Sequence, residues 1–199
     1  PQRGHGRRLR RSRGPREAMT APAPRALAGT ALVAIWHDIV PEGLADFYAW
    51  HDREHMPERL AIPGFQRGRR YRRVTSDGQD FFNLYEVAAF DVLVGQDYLA
   101  RLNAPTPWTR RVVVHFRNVT RGLCRVAGSR GTGQGGVMAT LRFAAVPARA
   151  EALRGHLVGE ALPALTAQPG VLSAHLAALR ICRLCGLRVR LYRWRYVVL

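Results

Sequence analysis

The segment MPERLAIPGF (residues 56–65) returns 106 positions later as LPALTAQPGV (162–171). Pro57 falls on Pro163, Ala61 on Ala167, Pro63 on Pro169 and Gly64 on Gly170. The same offset carries Glu54 onto Glu160 and lays GTALVAIW (29–36) over GGVMATLR (135–142) without a gap. One register accounts for all three stretches, so the chain reads as two copies of one unit. The joint, GSRGTGQGG (128–136), spells a GxGxxG. Its glycines precede an expected strand rather than following a strand and opening a helix, so it reads as a flexible linker and not as a dinucleotide-binding turn.

In the first copy, ALVAIWHDI (31–39) is a β-rich apolar run, and PEGLADFYAWHDREHM (41–56) carries Leu44, Phe47, Tyr48 and His51 at helical spacing, with Pro57 limiting the helix. FQRGRRYRRV (65–74) and DFFNLYEVA (80–88) flank an SDG turn and read as strands. DVLVGQDYLARLNA (91–104) reads as a helix opened by its aspartate, PTPWTRR as a short connection, and VVVHFRNVTRGLCRV (112–126) as the final strand. The order βαββαβ predicts an α+β fold, a ferredoxin-like plait with four antiparallel strands and both helices on one face. The other face must be covered, and a second plait can cover it. The expectation is two tandem plaits closing an intrachain α/β barrel, with two sheets around a shared apolar core and the helices outside. Residues 19–127 form the first repeat, 128–136 the Gly-rich linker and 137–199 the second repeat. That second copy reads as incomplete: its last stretch, RICRLCGLRVRLYRWRYVVL, stands where VTSDGQDFFNLYEVAAFDVL is due, which suggests an altered reading frame near residue 180 or an unusual native strand.

The formal net charge of +17 is unevenly placed. All basic residues are arginine, which points to codon bias in a GC-rich genome as much as to phosphate contacts. Seven arginines against one glutamate lie in residues 1–18, and six with no acid in 180–199, so the middle is only mildly basic. Nucleic-acid binding therefore ranks last among the function classes. The leader is too polar to bury surface and reads as disordered, with translation starting at Met19. Three cysteines make no disulfide framework, and CRLC (182–185) alone is weak support for zinc or redox work, so the expected compartment is the reducing cytoplasm. No apolar run is long enough to span a membrane.

The opening AIW, then FYAWHDREHMPERLAIPGF and RGRRY, resemble the dimeric α/β-barrel superfamily, and are most similar to its EthD-like members of uncharacterised role, in which a helix ending in H-x-x-E-H-x-P precedes a PGF strand. The likeness covers about residues 29–126, with an echo over 135–180. It implies a small-molecule site, without cofactor, of the kind found in cofactor-independent monooxygenases and isomerases, and homo-oligomers formed through sheet faces or edges.

The cluster WHDREHMPER (50–59) holds the expected chemistry. His51 or His55 is the candidate proton-transfer group, Glu54 its orienting partner, and Arg59 or Arg69 the holder of an anionic oxygen. Trp36, His37, Trp50, Tyr71 and Tyr85 supply aromatic walls for a hydrophobic or aromatic ligand. HDREH also spells the H-x-x-E-H zinc-protease pattern, but that chemistry needs a third acidic ligand, and Glu86, the one candidate, sits in an expected strand; no metal is assigned. The competing class is a non-enzymatic module kept for ligand binding or protein association.

Overall fold

The computed structural model describes residues 26–180 and 196–199. The basic leader, the CRLC motif and most of the arginine-rich end lie outside them. Strand β1 (Ala31–Ile39) leads into a helical segment made of α1 (Leu44–Trp50), a π turn (His51–His55) and α2 (Met56–Leu60). Strands β2 (Phe65–Arg72) and β3 (Phe81–Val87) follow, then α3 (Gln96–Asn103), α4 (Pro107–Val113) and the long β4 (Phe116–Gly131). The remainder is β5 (Leu141–Phe143), α5 (Ala150–His156), a second π turn (Leu157–Ala161), α6 (Leu162–Thr166), β6 (Ser173–Arg180) and β7 (Tyr196–Val198).

The seven strands of the described residues form one sheet in the order β2-β3-β1-β4-β6-β7-β5, antiparallel throughout. The chain is therefore a mixed α+β protein, and among the described residues no helix is long and apolar enough to cross a membrane. Successive side chains of a strand point to opposite faces, and this alternation divides the core. Ala31, Val33, Tyr85, Val87 and Leu123 pack under Ile62, Leu93 and Tyr98 on the helical face. Leu32, Ala34, Trp36, Phe82 and Leu84 occupy the other face, with Ala177 of β6 and Leu199. Burying a leucine such as Leu32 or Leu84 contributes about 2 kcal/mol, and both are fully buried.

The helical path recurs at the sequence offset: α1 with α5, the π turns with each other, and α2 with α6. Gly64 and Gly170 close the two segments at φ of +92° and +83°, a conformation that a Cβ makes costly. The strands of the two halves also share an order, β2-β3-β1 and β6-β7-β5.

Four expectations change. Two separate sheets were expected, but the halves join edge to edge in a single sheet, because β4 is 16 residues long. Its first part pairs with β1 and its second with β6, shifting register between Val126 and Gly128. The strand also runs through Gly128–Gly131, the start of the stretch read as a linker. Pro57 does not end its helix: the N–H of Met56 reaches back to His51 O, and this wide turn delivers the chain to Pro57 at the start of α2, where a missing N–H is tolerated. Leu162 and Leu157 repeat the arrangement before Pro163. Finally, PTPWTRR is helical: Thr106 caps α4 by accepting from Thr109 N at 2.9 Å.

Candidate functional site

The π turn sets the site. His51 is buried at 1% exposure beneath the helix, and His55 lies half-buried beside it with ring centroids 5.7 Å apart. Arg70 Nη1 lies 2.9 Å from His51 Nδ1 and donates to Asp52 Oδ1 at 2.5 Å, while Arg70 Nη2 donates to Asp52 Oδ2 at 3.1 Å. A guanidinium can only donate, so Nδ1 accepts and the single proton of neutral His51 sits on Nε2. That N–H points at the hydroxyl of Tyr85, 3.4 Å away. Burial first, and Arg70 second, push the His51 pKa down to about 3. His51 is thus a neutral donor that holds Tyr85, and its ring nitrogens are both committed.

His55 is free where His51 is not. Its ring stacks on Trp50 at 4.2 Å and meets Tyr85 edge-on at 6.3 Å, while its Nδ1 is buried and among the described residues has no hydrogen-bond partner. Desolvation, then Arg59, His51 and Arg121, hold its pKa well below that of an ordinary histidine. Arg59 faces the same interior. It is 8% exposed, its Nη1 has no partner, and among the described residues no carboxylate forms an ion pair with it. Burial lowers its pKa, countered chiefly by Tyr98 and the neighbouring Glu58. Arg121 of β4 bonds the hydroxyl of Tyr98 and stacks over its ring.

The expected residues do not form one cluster. On the helical face the structure brings together Trp50, His51, His55, Arg59 and Tyr85. Trp50 is a wall, its Nε1 donating to Thr109 Oγ1 at 3.1 Å. His37 shares this face but is a core histidine: it packs against Phe47, Phe81 and Phe116, bonds Asn83 at 2.9 Å, and burial lowers its pKa to about 4. Trp36, Arg69 and Tyr71 point to the opposite face, because each is one residue out of phase with its helix-facing neighbour. Arg69 is paired with Glu86 at 2.6 Å and cannot serve an oxygen beside His55. Glu86 is 1% exposed and also accepts from Ala28 N, so it stands across the sheet from His51 and His55 and is no third ligand to them. Among the described residues no three His, Cys, Asp or Glu side chains are placed to hold a metal ion.

Glu54 has a different role from the one expected. Its Oε1 accepts from Thr106 at 2.5 Å and lies 3.4 Å from Thr109, locking the π turn to the start of α4 rather than orienting a histidine. Tyr98 and Arg121 were not among the expected site residues. Arg121 carried a usable signal: it lies two positions before core-facing Leu123, so it is a charge at an inward phase of a strand.

No family model matches the chain, and no curated protein matches it. Among solved structures, a crystal structure from Fusobacterium nucleatum subsp. nucleatum, provisionally named a monooxygenase, is similar over 86% of this chain and 75% of its own, at 7% identity and a TM-score of 0.49. A likeness that distant carries no argument about activity, which rests on the residues described above.

Proposed function

We propose that the chain is a tandem ferredoxin-like protein of the dimeric α/β-barrel type that binds a small, acidic, largely hydrophobic organic molecule between its helices and sheet and moves a proton on it without a cofactor. One observation carries the reading: among the described residues Arg59 is a buried cation with an unpartnered Nη1 and no carboxylate paired to it, close enough to His55 to depress its pKa, and the Nδ1 of His55 is likewise unpartnered. A desolvated charge is costly unless something of opposite sign meets it, and an enolate or phenolate oxygen would do so.

In this reading His55 Nδ1 takes the proton from an acidic C–H or O–H, and the electron pair left behind settles on the substrate oxygen. Arg59 holds that oxygen. Tyr85, oriented by the Nε2–H of His51, donates a hydrogen bond to it while keeping its proton. His51 and Arg70 are positioning residues. Return of the proton to another carbon gives an isomerisation. Capture of dioxygen by the same carbanion gives a peroxide that takes back the proton held by His55 and, with loss of the second hydrogen on that carbon, expels water. One oxygen stays as a carbonyl, the other leaves in water, and the substrate carbon supplies all four electrons. The recurrence of helices, π turns and strand order at the 106-residue offset supports the tandem part of the proposal.

The test begins with the purified full chain, denatured and extracted for mass spectrometry. An acidic aromatic compound in the native protein, absent from a folded Arg59→Met variant, is the expected result; equal retention by Arg59→Met overturns the reading. The extracted compound is then incubated with protein in D2O. Deuterium incorporation that falls about 100-fold or more in His55→Asn supports proton transfer, whereas no incorporation with the native chain leaves a ligand-binding module without chemistry.

A further inference from the structure

On the face away from the helices, a cavity of about 500 Å³ opens between the end of β2, the turn that follows it and the stretch leading into β5. The sheet separates it from the His55–Arg59 layer, and Arg70, which bonds His51 on the helical side, is the one residue of that site that also lines it. Its apolar side is built by Trp36, Phe82, Tyr71 and Met138. Trp36 and Phe82 stack at 4.8 Å, and Phe82 and Tyr71 at 6.0 Å. At its rim Val74 and Val137 are 86% and 81% exposed, unusual for valines in a packed protein.

Its polar side is basic. The Arg142 guanidinium lies over the Trp36 ring, its carbon 4.6 Å from the centroid, and donates one N–H to Gln79 Oε1 at 3.0 Å. Stacking leaves the in-plane donors of a guanidinium available, and among the described residues no carboxylate pairs with Arg142. Arg70 and Arg73 also line the cavity but are committed to Asp52 and Asp80. The Tyr71 hydroxyl is buried beside the Arg69 guanidinium and, among the described residues, makes no hydrogen bond of good geometry. Burial lowers the Arg142 pKa from its usual value, so the cation itself gains from an anion placed beside it.

We infer that this cavity is a second binding site, for a planar aromatic carboxylate whose ring lies along the Trp36–Phe82–Tyr71 wall and whose carboxylate is taken in plane by Arg142. The inference stands apart from the reading of the helical face. An oriented, partly desolvated guanidinium selects a planar two-oxygen anion over a neutral isostere, and the apolar wall selects against small hydrophilic acids such as acetate.

The experiment uses the full chain and two probes of equal shape, 2-naphthoate and 2-naphthamide, titrated by calorimetry at neutral pH. In an Arg59→Met background, which removes the anion contact proposed for the helical face, the acid binds at one equivalent and at least about tenfold more tightly than the amide. Adding Arg142→Gln removes that preference, and adding Tyr71→Phe weakens the acid several-fold with Arg142 in place. Circular dichroism confirms that each variant folds, and Tyr71→Phe keeps the test open if Arg142→Gln does not. Equal affinity for acid and amide overturns the inference. So does acid binding that survives Arg142→Gln and is lost in Arg59→Met, which would place the probe on the helical face.

Discussion

Arg70 donates to the Nδ1 of His51, and this contact decides which nitrogen of the ring carries the proton. It also separates the two histidines of HDREH into a fixed donor and an uncommitted base. Long-range proton–nitrogen NMR should find the His51 proton on Nε2 at neutral pH. In Arg70→Met the His51 pKa should rise from about 3, yet remain below 6.5, because burial is the larger cause. A titration unchanged by the substitution, or a proton on Nδ1, would contradict the assignment.

Among the described residues four histidines are held neutral by burial. His37 and His175 are lowered to about 4 and His51 to about 3, and His55 is lowered well below 6.5. Each binds a proton more readily in the unfolded chain, so their contribution is complete above pH 6.5 and shrinks as pH falls from 6.5 towards the folded-state values. The slope is up to about 1.4 kcal/mol per pH unit for each histidine. Urea midpoints should hold from pH 8 to 7 and drop between pH 6.5 and 5, before the carboxylates titrate. A flat profile over that window would show that the histidines are not buried as described.

Glu54 joins the π turn to the cap of α4 through Thr106 and Thr109. Glu54→Ala should therefore lower stability by about 1–2 kcal/mol while leaving the titration of His51 and His55 unchanged. Thermal melts measure the first effect and NMR the second. A shift of either histidine's pKa without a loss of stability would restore the orienting role expected from sequence.

Gly64 and Gly170 share a left-handed conformation but not a neighbourhood. A Cβ on Gly64 would come within 2.6 Å of Val92 Cγ2, whereas one on Gly170 would meet nothing within 4 Å. Gly170→Ala should cost about 1 kcal/mol from backbone strain alone. Gly64→Ala should cost that amount and a further packing penalty of about 1–3 kcal/mol. Denaturation of the two variants side by side makes the comparison, and equal losses would contradict it.

The order of elements was legible from the repeat and from periodicity, because both are local patterns. The partition of the site was not. Trp36, Arg69 and Tyr71 lie within a few residues of helix-facing side chains, and a reading by proximity groups them. Strand alternation sends them through the sheet, and the phase of β2 shifts at the irregularity between Phe65 and Arg67, which no spacing rule reveals. Pro57 misled for a related reason: the rule that proline ends a helix assumes an α-helical approach, and the π turn alters it. The paired glutamates are also instructive. Glu54 braces α4, while Glu160 at the same place in the second π turn is exposed and paired with His156 at 3.1 Å. Retention across the offset marked a shared position, not a shared role. The partners of Glu54 come from Thr106 and Thr109, more than fifty residues away, and only the folded chain brings them together.

The most direct measurement of the account is spectrophotometric. 4-Nitrophenol absorbs differently once ionised, so its ionisation can be followed with the protein in excess. If the interior of the helical face offers Arg59 and Tyr85 to an oxyanion, the bound phenol ionises at a lower pH than the free phenol; the shift disappears in Arg59→Met and persists in Arg142→Gln. A bound phenol whose ionisation is unmoved, or moved upward as an apolar pocket alone would move it, contradicts the anion site from which the proposed chemistry starts.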